Sequence, residues 1–175
     1  MYEKFGQFID GKWQASSNNE TYEVINPANE EVIGRASKAT PEDVDRALKS
    51  AEKGLEVWKK TSPWKRSSVI RKVADIIRAK QDVLAKWITL EVGKPFLEGK
   101  GEVGATADIF EWNSEETKRI YGQTVESRFE DTRIHVYYQP IGVVAAMSPW
   151  NFPLVLSGRK ISTALAAGCS VIIKP

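Results

Sequence analysis

The chain has 175 residues, 42% of them hydrophobic and 27% charged, with a formal net charge of +2. That length supports one ordinary domain with a core, and so small a charge excess argues for neither a nucleic acid nor a membrane surface as partner. No run approaches the roughly 18–20 apolar residues of a membrane span, the stretch around Phe8 and Ile9 is too short and polar for a secretory signal, and a lone cysteine, Cys169, permits no internal disulfide, so the sequence reads as cytoplasmic.

Gln7-Phe8-Ile9-Asp10-Gly11-Lys12-Trp13 predicts two short strands about an Asp-Gly turn, a pair that accepts positive φ. Asn26-Pro27-Ala28-Asn29 reads as a turn before a strand at residues 31–36. Thr40 caps a helix that opens with Pro41, Glu42 and Asp43. Val44, Leu48, Ala51, Leu55 and Trp58 recur along it at helical spacing. Ser62-Pro63 starts a second helix with Val69, Val73, Ile76 and Ile77 as its apolar face. Lys59, Lys60, Lys65, Arg66, Arg71 and Lys72, interleaved with Glu52, Glu56 and Asp75, read as solvated helix faces. A third helix over 81–92 stops at Gly93-Lys94-Pro95, and a fourth runs over 96–121 to Gly122.

The period then changes to alternation over 124–129 and 133–139, around a turn at 130–132. Residues 142–147 are apolar at nearly every position, the pattern of a parallel strand covered on both faces. A loop over 148–153, a helix over 154–167 closed by Gly168, and a second apolar strand over 170–174 complete a strand–helix–strand unit. Two parallel strands do not make a stable sheet alone, so the sheet is expected to need residues beyond Pro175.

The loop carries the chemistry. Pro149 and Pro153 each fix φ and remove a donor, which makes the loop stiff, and it follows a parallel strand, where open α/β sheets bind ligands. Asn151 within it offers two amide donors that can serve a developing oxyanion; an asparagine between prolines serves equally as a turn residue. Cys169 enters a buried strand with no histidine near it in sequence and reads as a packing residue rather than a nucleophile. His135, the only histidine, falls in the second alternating segment, where a surface or interface role is expected. No cluster has metal-ligand spacing, so no metal is expected. There is no Gly-x-Gly-x-x-Gly phosphate fingerprint.

Gln139-Pro140-Ile141-Gly142-Val143, Ser148-Pro149-Trp150-Asn151-Phe152-Pro153 and Ala166-Ala167-Gly168-Cys169-Ser170-Val171-Ile172-Ile173-Lys174-Pro175, in this order and spacing, closely resemble the aldehyde dehydrogenase superfamily. Phe8 to Trp13, Asn26-Pro27-Ala28, Glu91 with Gly93-Lys94-Pro95, and Lys118 to Gly122 look like further landmarks of it, so the resemblance covers essentially the whole chain, about the first third of a typical member. It implies an α/β fold: the N-terminal part of a Rossmann-like parallel sheet with N-terminal helices and an oligomerisation hairpin, incomplete as it stands. Residues 1–122 would form the N-terminal hairpin and helical part of the cofactor-binding domain, 123–139 the oligomerisation hairpin and 140–175 the start of the NAD(P)-binding sheet, with the catalytic domain absent.

The resemblance also implies a reaction. Members oxidise aldehydes to acids with NAD or NADP: a thiolate attacks the carbonyl, hydrogen bonds hold the oxyanion, hydride passes to the nicotinamide, and a glutamate-activated water releases the acid. Asn151 matches the oxyanion-hole asparagine. Met147, Ser148, Pro149 and Trp150 match the cofactor site, and Lys174 the lysine that bonds the adenine-side ribose. Phe152, Val155, Leu156 and Arg159 fall where the substrate tunnel is lined, and Lys160 resembles a structural support. Arg159-Lys160 after the loop looks most like the succinate-semialdehyde branch, in which a guanidinium would pair with a substrate carboxylate; an arginine on the outer face of the helix is the ordinary alternative. The family's nucleophile and general base lie downstream of Pro175, which leaves open a non-catalytic fragment or pseudoenzyme that keeps a partial cofactor site or an assembly surface. The hairpin implies a homodimer or homotetramer.

Overall fold

The computed structural model describes residues 6–174; Pro175, the last residue of the third motif, lies outside them. Strands β1 (Gln7–Ile9) and β2 (Lys12–Gln14) pair antiparallel about Asp10 and Gly11, whose φ values of 55° and 74° are those an Asp-Gly hairpin requires. Phe8 packs on Trp13 across the pair, ring centroids 5.1 Å apart. The strand β4 (Val32–Ser37) pairs antiparallel with β3 (Thr21–Ile25). The sequence reading anticipated the former and missed the latter. In β3 all residues but Val24 are exposed, so the alternation that marks a half-buried strand carries little signal there.

Helix α1 (Pro41–Trp58) starts in a capping box: Thr40 Oγ1 accepts from the Asp43 amide and the Asp43 carboxylate accepts from the Thr40 amide. Asp43 is 1% exposed, and it also accepts from the amide of Ser17, the Gln7 side chain and Arg46. One buried carboxylate thus ties the N-terminal hairpin to the helix start, and these donors hold it well below the ordinary aspartate range, the Thr40 amide foremost.

Helices α2 (Pro63–Ala79), α3 (Gln81–Val92) and α4 (Phe96–Glu116) follow, the last running into a 3-10 turn over Thr117–Arg119. Gly93 ends α3 in the left-handed region at φ 74°, as the Gly-Lys-Pro stop predicts. Helix α4 is the hub, packed against α2, α3 and the later helix α5 (Pro153–Ala166). Ile70, Ala74, Phe110 and Ala166 form one core cluster, and Ala85, Ile88 and Val103 a second. The expected apolar faces are corrected in two places. On α2 the buried residues are Arg66, Ser67, Ile70 and Ala74, with Val73 and Ile77 against the core, whereas Val69 and Ile76 are exposed; the buried set includes a serine and an arginine that donates to Thr61 O, which an apolar count skips. On α1, Val44 and Leu48 are exposed, because its inward side there is the Asp43 network.

Strands β5 (Gln123–Glu126) and β6 (Arg133–Val136) form an antiparallel hairpin in which every strand residue is exposed. Strands β7 (Val143–Met147) and β8 (Ser170–Lys174) pair in parallel across α5. The expectation that residues 142–147 are covered on both faces does not hold among the described residues: Ala146 is buried, but Ala145 and Met147 are exposed, where β7 is paired with β8 and flanked by α5 and α1. Helix α5 ends in a Schellman turn, with Cys169 N donating to Ala164 O at 2.9 Å, Gly168 N to Leu165 O at 3.1 Å, and Gly168 at φ 88°. The Trp58 indole N–H donates to Leu165 O at 2.8 Å, fastening α1 to this end of α5.

Candidate functional site at the carboxyl edge of the parallel strands

The parallel register sets Val143 opposite Ser170 and Met147 opposite Lys174. Both strands therefore end level, and Lys174 stands at the carboxyl edge beside the point where the chain leaves β7 into the loop. Met147 is 65% exposed and Trp150 78%. Apolar side chains left uncovered beside a lysine at this edge suit a flat, partly apolar ligand bearing hydroxyls, at the position where open α/β sheets take their ligands.

The loop is anchored at both ends. Pro149 and Pro153 restrict its backbone, and Pro153 opens α5 at the position where a missing N–H costs nothing. At the entry, Lys160 Nζ donates to Ser148 Oγ at 3.2 Å and to Leu156 O at 3.3 Å, so the side chain staples the first loop residue to the helix that follows. Asn151 lies exposed in the turn between.

At the exit, Phe152 provides no side-chain cap for α5. The orphan amides of Leu154 and Val155 donate instead to Glu102 Oε1 of α4, at 2.9 and 3.1 Å. Glu102 Oε2 receives Lys94 Nζ at 2.6 Å, a pair in which the carboxylate side chain is 0% exposed and the lysine 9%. The same ammonium sits 3.6 Å from the centroid of the Phe152 ring, a cation–π contact. Burial of two charges is tolerated because both carboxylate oxygens have donors. Sequence reading noted Lys94 as a landmark only and missed Glu102. The available signal was the helix start itself: Phe152-Pro153 offers no Ser, Thr, Asp or Asn, so the cap had to come from another element. The helix end that could attract a phosphate is filled by the protein's own carboxylate, which accords with the lack of a glycine fingerprint in this turn.

Val155, Leu156 and Arg159 share one side of α5 at helical spacing, and Phe152 immediately precedes the helix. Val155 and Leu156 are half-buried, Phe152 and Arg159 exposed. Arg159 stands about 10 Å along the helix from Phe152, at the usual rise per residue, and its guanidinium pairs with no carboxylate among the described residues. Cys169 is 3% exposed at the Schellman turn, on the amino-terminal side of β8, so the structure does not bring its thiol to the loop. His135 sits on the exposed hairpin with Nδ1 3.2 Å from Thr124 Oγ1. Among the described residues, no group of three His, Cys, Asp or Glu side chains could hold a metal ion, and no helix is long and apolar enough to cross a membrane.

The sequence pattern of the aldehyde dehydrogenase family matches residues 13–175. The chain is 43% identical over 168 residues to a glutarate-semialdehyde dehydrogenase of Pseudomonas aeruginosa, covering 96% of this chain and 35% of the relative. It is 41% identical over 167 residues to an NADP(+) succinate-semialdehyde dehydrogenase of Escherichia coli, covering 95% and 35%. Among solved structures, a variant of betaine aldehyde dehydrogenase from Staphylococcus aureus in complex with NAD+ superposes with a TM-score of 0.94 at 34% identity, over 98% of this chain and 35% of that one. The α/β fold is thus that of these structures, and the chain spans about a third of the length of the relatives it matches.

Proposed function

The chain belongs to the aldehyde dehydrogenase family, and on that premise we propose that it is the N-terminal part of an enzyme that oxidises a semialdehyde bearing its own carboxylate to the dicarboxylic acid, with NAD or NADP. The observation that carries the reading is the level ending of β7 and β8, which sets Lys174 beside the start of the loop that holds Asn151. A bound nicotinamide would supply the hydride acceptor. Lys174 would bond its ribose hydroxyls, Met147, Ser148, Pro149 and Trp150 would bound the cofactor's path, and the Asn151 amide would donate to the oxygen that gains charge as the carbonyl is attacked. Phe152, Val155 and Leu156 provide an apolar wall, and Arg159 takes the distal carboxylate in a bidentate pair. Support for that last role comes from the unpaired guanidinium on the same helix side and from the names of relatives that act on glutarate and succinate semialdehydes. Lys160 holds the loop entry to α5.

The exposed β5–β6 hairpin is an arm for a second copy, since a lone two-stranded hairpin is marginal in water; a strictly monomeric complete enzyme would refute that part. Residues 1–175 by themselves hold no thiol at the loop and are expected to be inactive.

The test is steady-state turnover by the complete polypeptide that contains this sequence, with succinate or glutarate semialdehyde set against a neutral aldehyde of equal length. Arg159→Leu should lower kcat/KM for the acidic substrates about 10- to 100-fold, the worth of a hydrogen-bonded charge pair, and leave the neutral aldehyde within about 2-fold, a factor under half a kcal/mol. Equal losses on both substrates would remove the carboxylate from the proposal, and steady aldehyde oxidation by residues 1–175 alone would overturn their expected inactivity.

A further inference from the structure

Helix α5 begins immediately after the loop that carries Asn151, so whatever fixes its first turn fixes the loop exit. That turn has no local cap. Its Leu154 and Val155 amides end on one oxygen of Glu102, 52 and 53 residues earlier in the chain, and the other oxygen is held by Lys94. Lys94 itself lies over the ring of Phe152, the residue next to Asn151. Glu102 comes from α4, which also packs against α2 and α3, so the cap is referenced to the helix around which the others pack. The opposite end of the loop is held separately, by Lys160 on Ser148.

We propose that Glu102, pinned by Lys94, is the positioning residue for the Asn151 loop: an ion pair borrowed from α3–α4 replaces the N-cap of α5 and sets the direction of the oxyanion donor. The proposal rests on the aldehyde dehydrogenase reading for its catalytic consequence but not for its structural one. Loss of the carboxylate frees two backbone donors and the ammonium above Phe152 together, and the loop exit relaxes although the core clusters do not contain Glu102. Displacement of the oxyanion donor by about 1 Å is enough for a loss near 10²-fold in rate.

The exchange measurement is made on the complete protein. In Glu102→Ala the Leu154 and Val155 amides should exchange with solvent about 10- to 100-fold faster than in the wild type, the loss expected for a hydrogen bond to a charged acceptor, while amides of the α2–α4 core keep their protection. In the same variant kcat should fall about 10²-fold, with the Kd for NAD(P)H within about 2-fold of the wild type. Glu102→Gln retains an oxygen for the two amides but turns an amide N–H toward the Lys94 ammonium; adding Lys94→Met removes that clash, so E102Q/K94M should turn over faster than E102Q. A variant that fails to fold as E102A is replaced by this pair, whose order of activities and of amide protection decides the same question. Unchanged exchange at residues 154 and 155 would overturn the cap, and accelerated exchange with unchanged kcat would overturn its positioning role. If the wild-type protein oxidises no aldehyde with either nucleotide, the functional reading falls and the exchange comparison still decides the cap.

Discussion

Asn151 is exposed, and the loop that bears it is held by Pro149, Pro153, Lys160 and, at its exit, Glu102 rather than by its own side chain. On the proposed reading, Asn151→Ala should therefore leave the melting transition of the complete protein where it is, within the roughly 0.5 kcal/mol of a surface change, while lowering kcat by about 10²–10³, the value of one oxyanion donor. A fall in kcat accompanied by an equal rise in the KM for the nucleotide would mean that the amide binds cofactor instead. The loop around this residue was legible in the sequence because the proline spacing is a local pattern. Glu102 was not. It is one of many glutamates on a helix whose apolar and polar residues are mixed around the axis, and only the tertiary approach of α4 to α5 makes it a cap. The general lesson is physical: groups that act through chain-local geometry can be read from spacing, and groups that act across 50 residues can be inferred only from the donor they leave unsatisfied.

That approach depends on one small residue. A Cβ added at Gly158 of α5 would lie 2.7 Å from Thr106 Cγ2 and 3.2 Å from the Phe110 ring of α4, so the two helices meet at a distance that no larger side chain allows. Gly158→Ala gains helix propensity, about 1 kcal/mol at an ordinary position, yet here overpacking outweighs it at about 1–3 kcal/mol. The expected net result is a lower denaturant midpoint, and an increase would show that α4 yields at this contact. The mutation also pushes Glu102 away from the start of α5, so accelerated exchange of the Leu154 amide should accompany it. Helix ends were the most legible features at this scale: the Thr40 box and the Gly93 stop each need only a few adjacent residues. The inner face of α2 was illegible for the complementary reason, since its burial is decided by partners that the local sequence does not specify, and an arginine, Arg66, occupies a buried position that periodicity assigns to apolar residues.

Across the molecule, two regions answer to different stresses. The N-terminal hairpin is joined to α1 through Asp43, whose carboxylate is held below its ordinary range, first by the Thr40 amide and then by Gln7, Arg46 and Ser17. A depressed folded pKa contributes stability in full above the unfolded value of about 3.9 and loses it as pH falls toward the folded value. Acid should thus release the Ser17 and Thr40 amides to exchange before the α2–α4 core opens, and Asp43→Asn should show fast exchange at those amides already at neutral pH; acid exchange that starts in the core would contradict this order. At the other end, Trp58, Ile161, Leu165, Val171 and Ile173 line an open crevice between α1, α5 and β8, next to a sheet of only two strands. Two strands are too few for independent stability, and the crevice leaves apolar side chains of α1, α5 and β8 open at their edge. Residues 1–175 in isolation should bind a hydrophobic dye under native conditions and self-associate with concentration, and Ile173→Lys, which charges the rim of the crevice, should reduce both. In the complete enzyme the same substitution should do the opposite of helping: further polypeptide packed on β8 would have to bury the lysine, and folding yield should drop. Improved solubility in both contexts would mean that nothing covers the crevice, and the parallel sheet would then have to be stabilised from its other face.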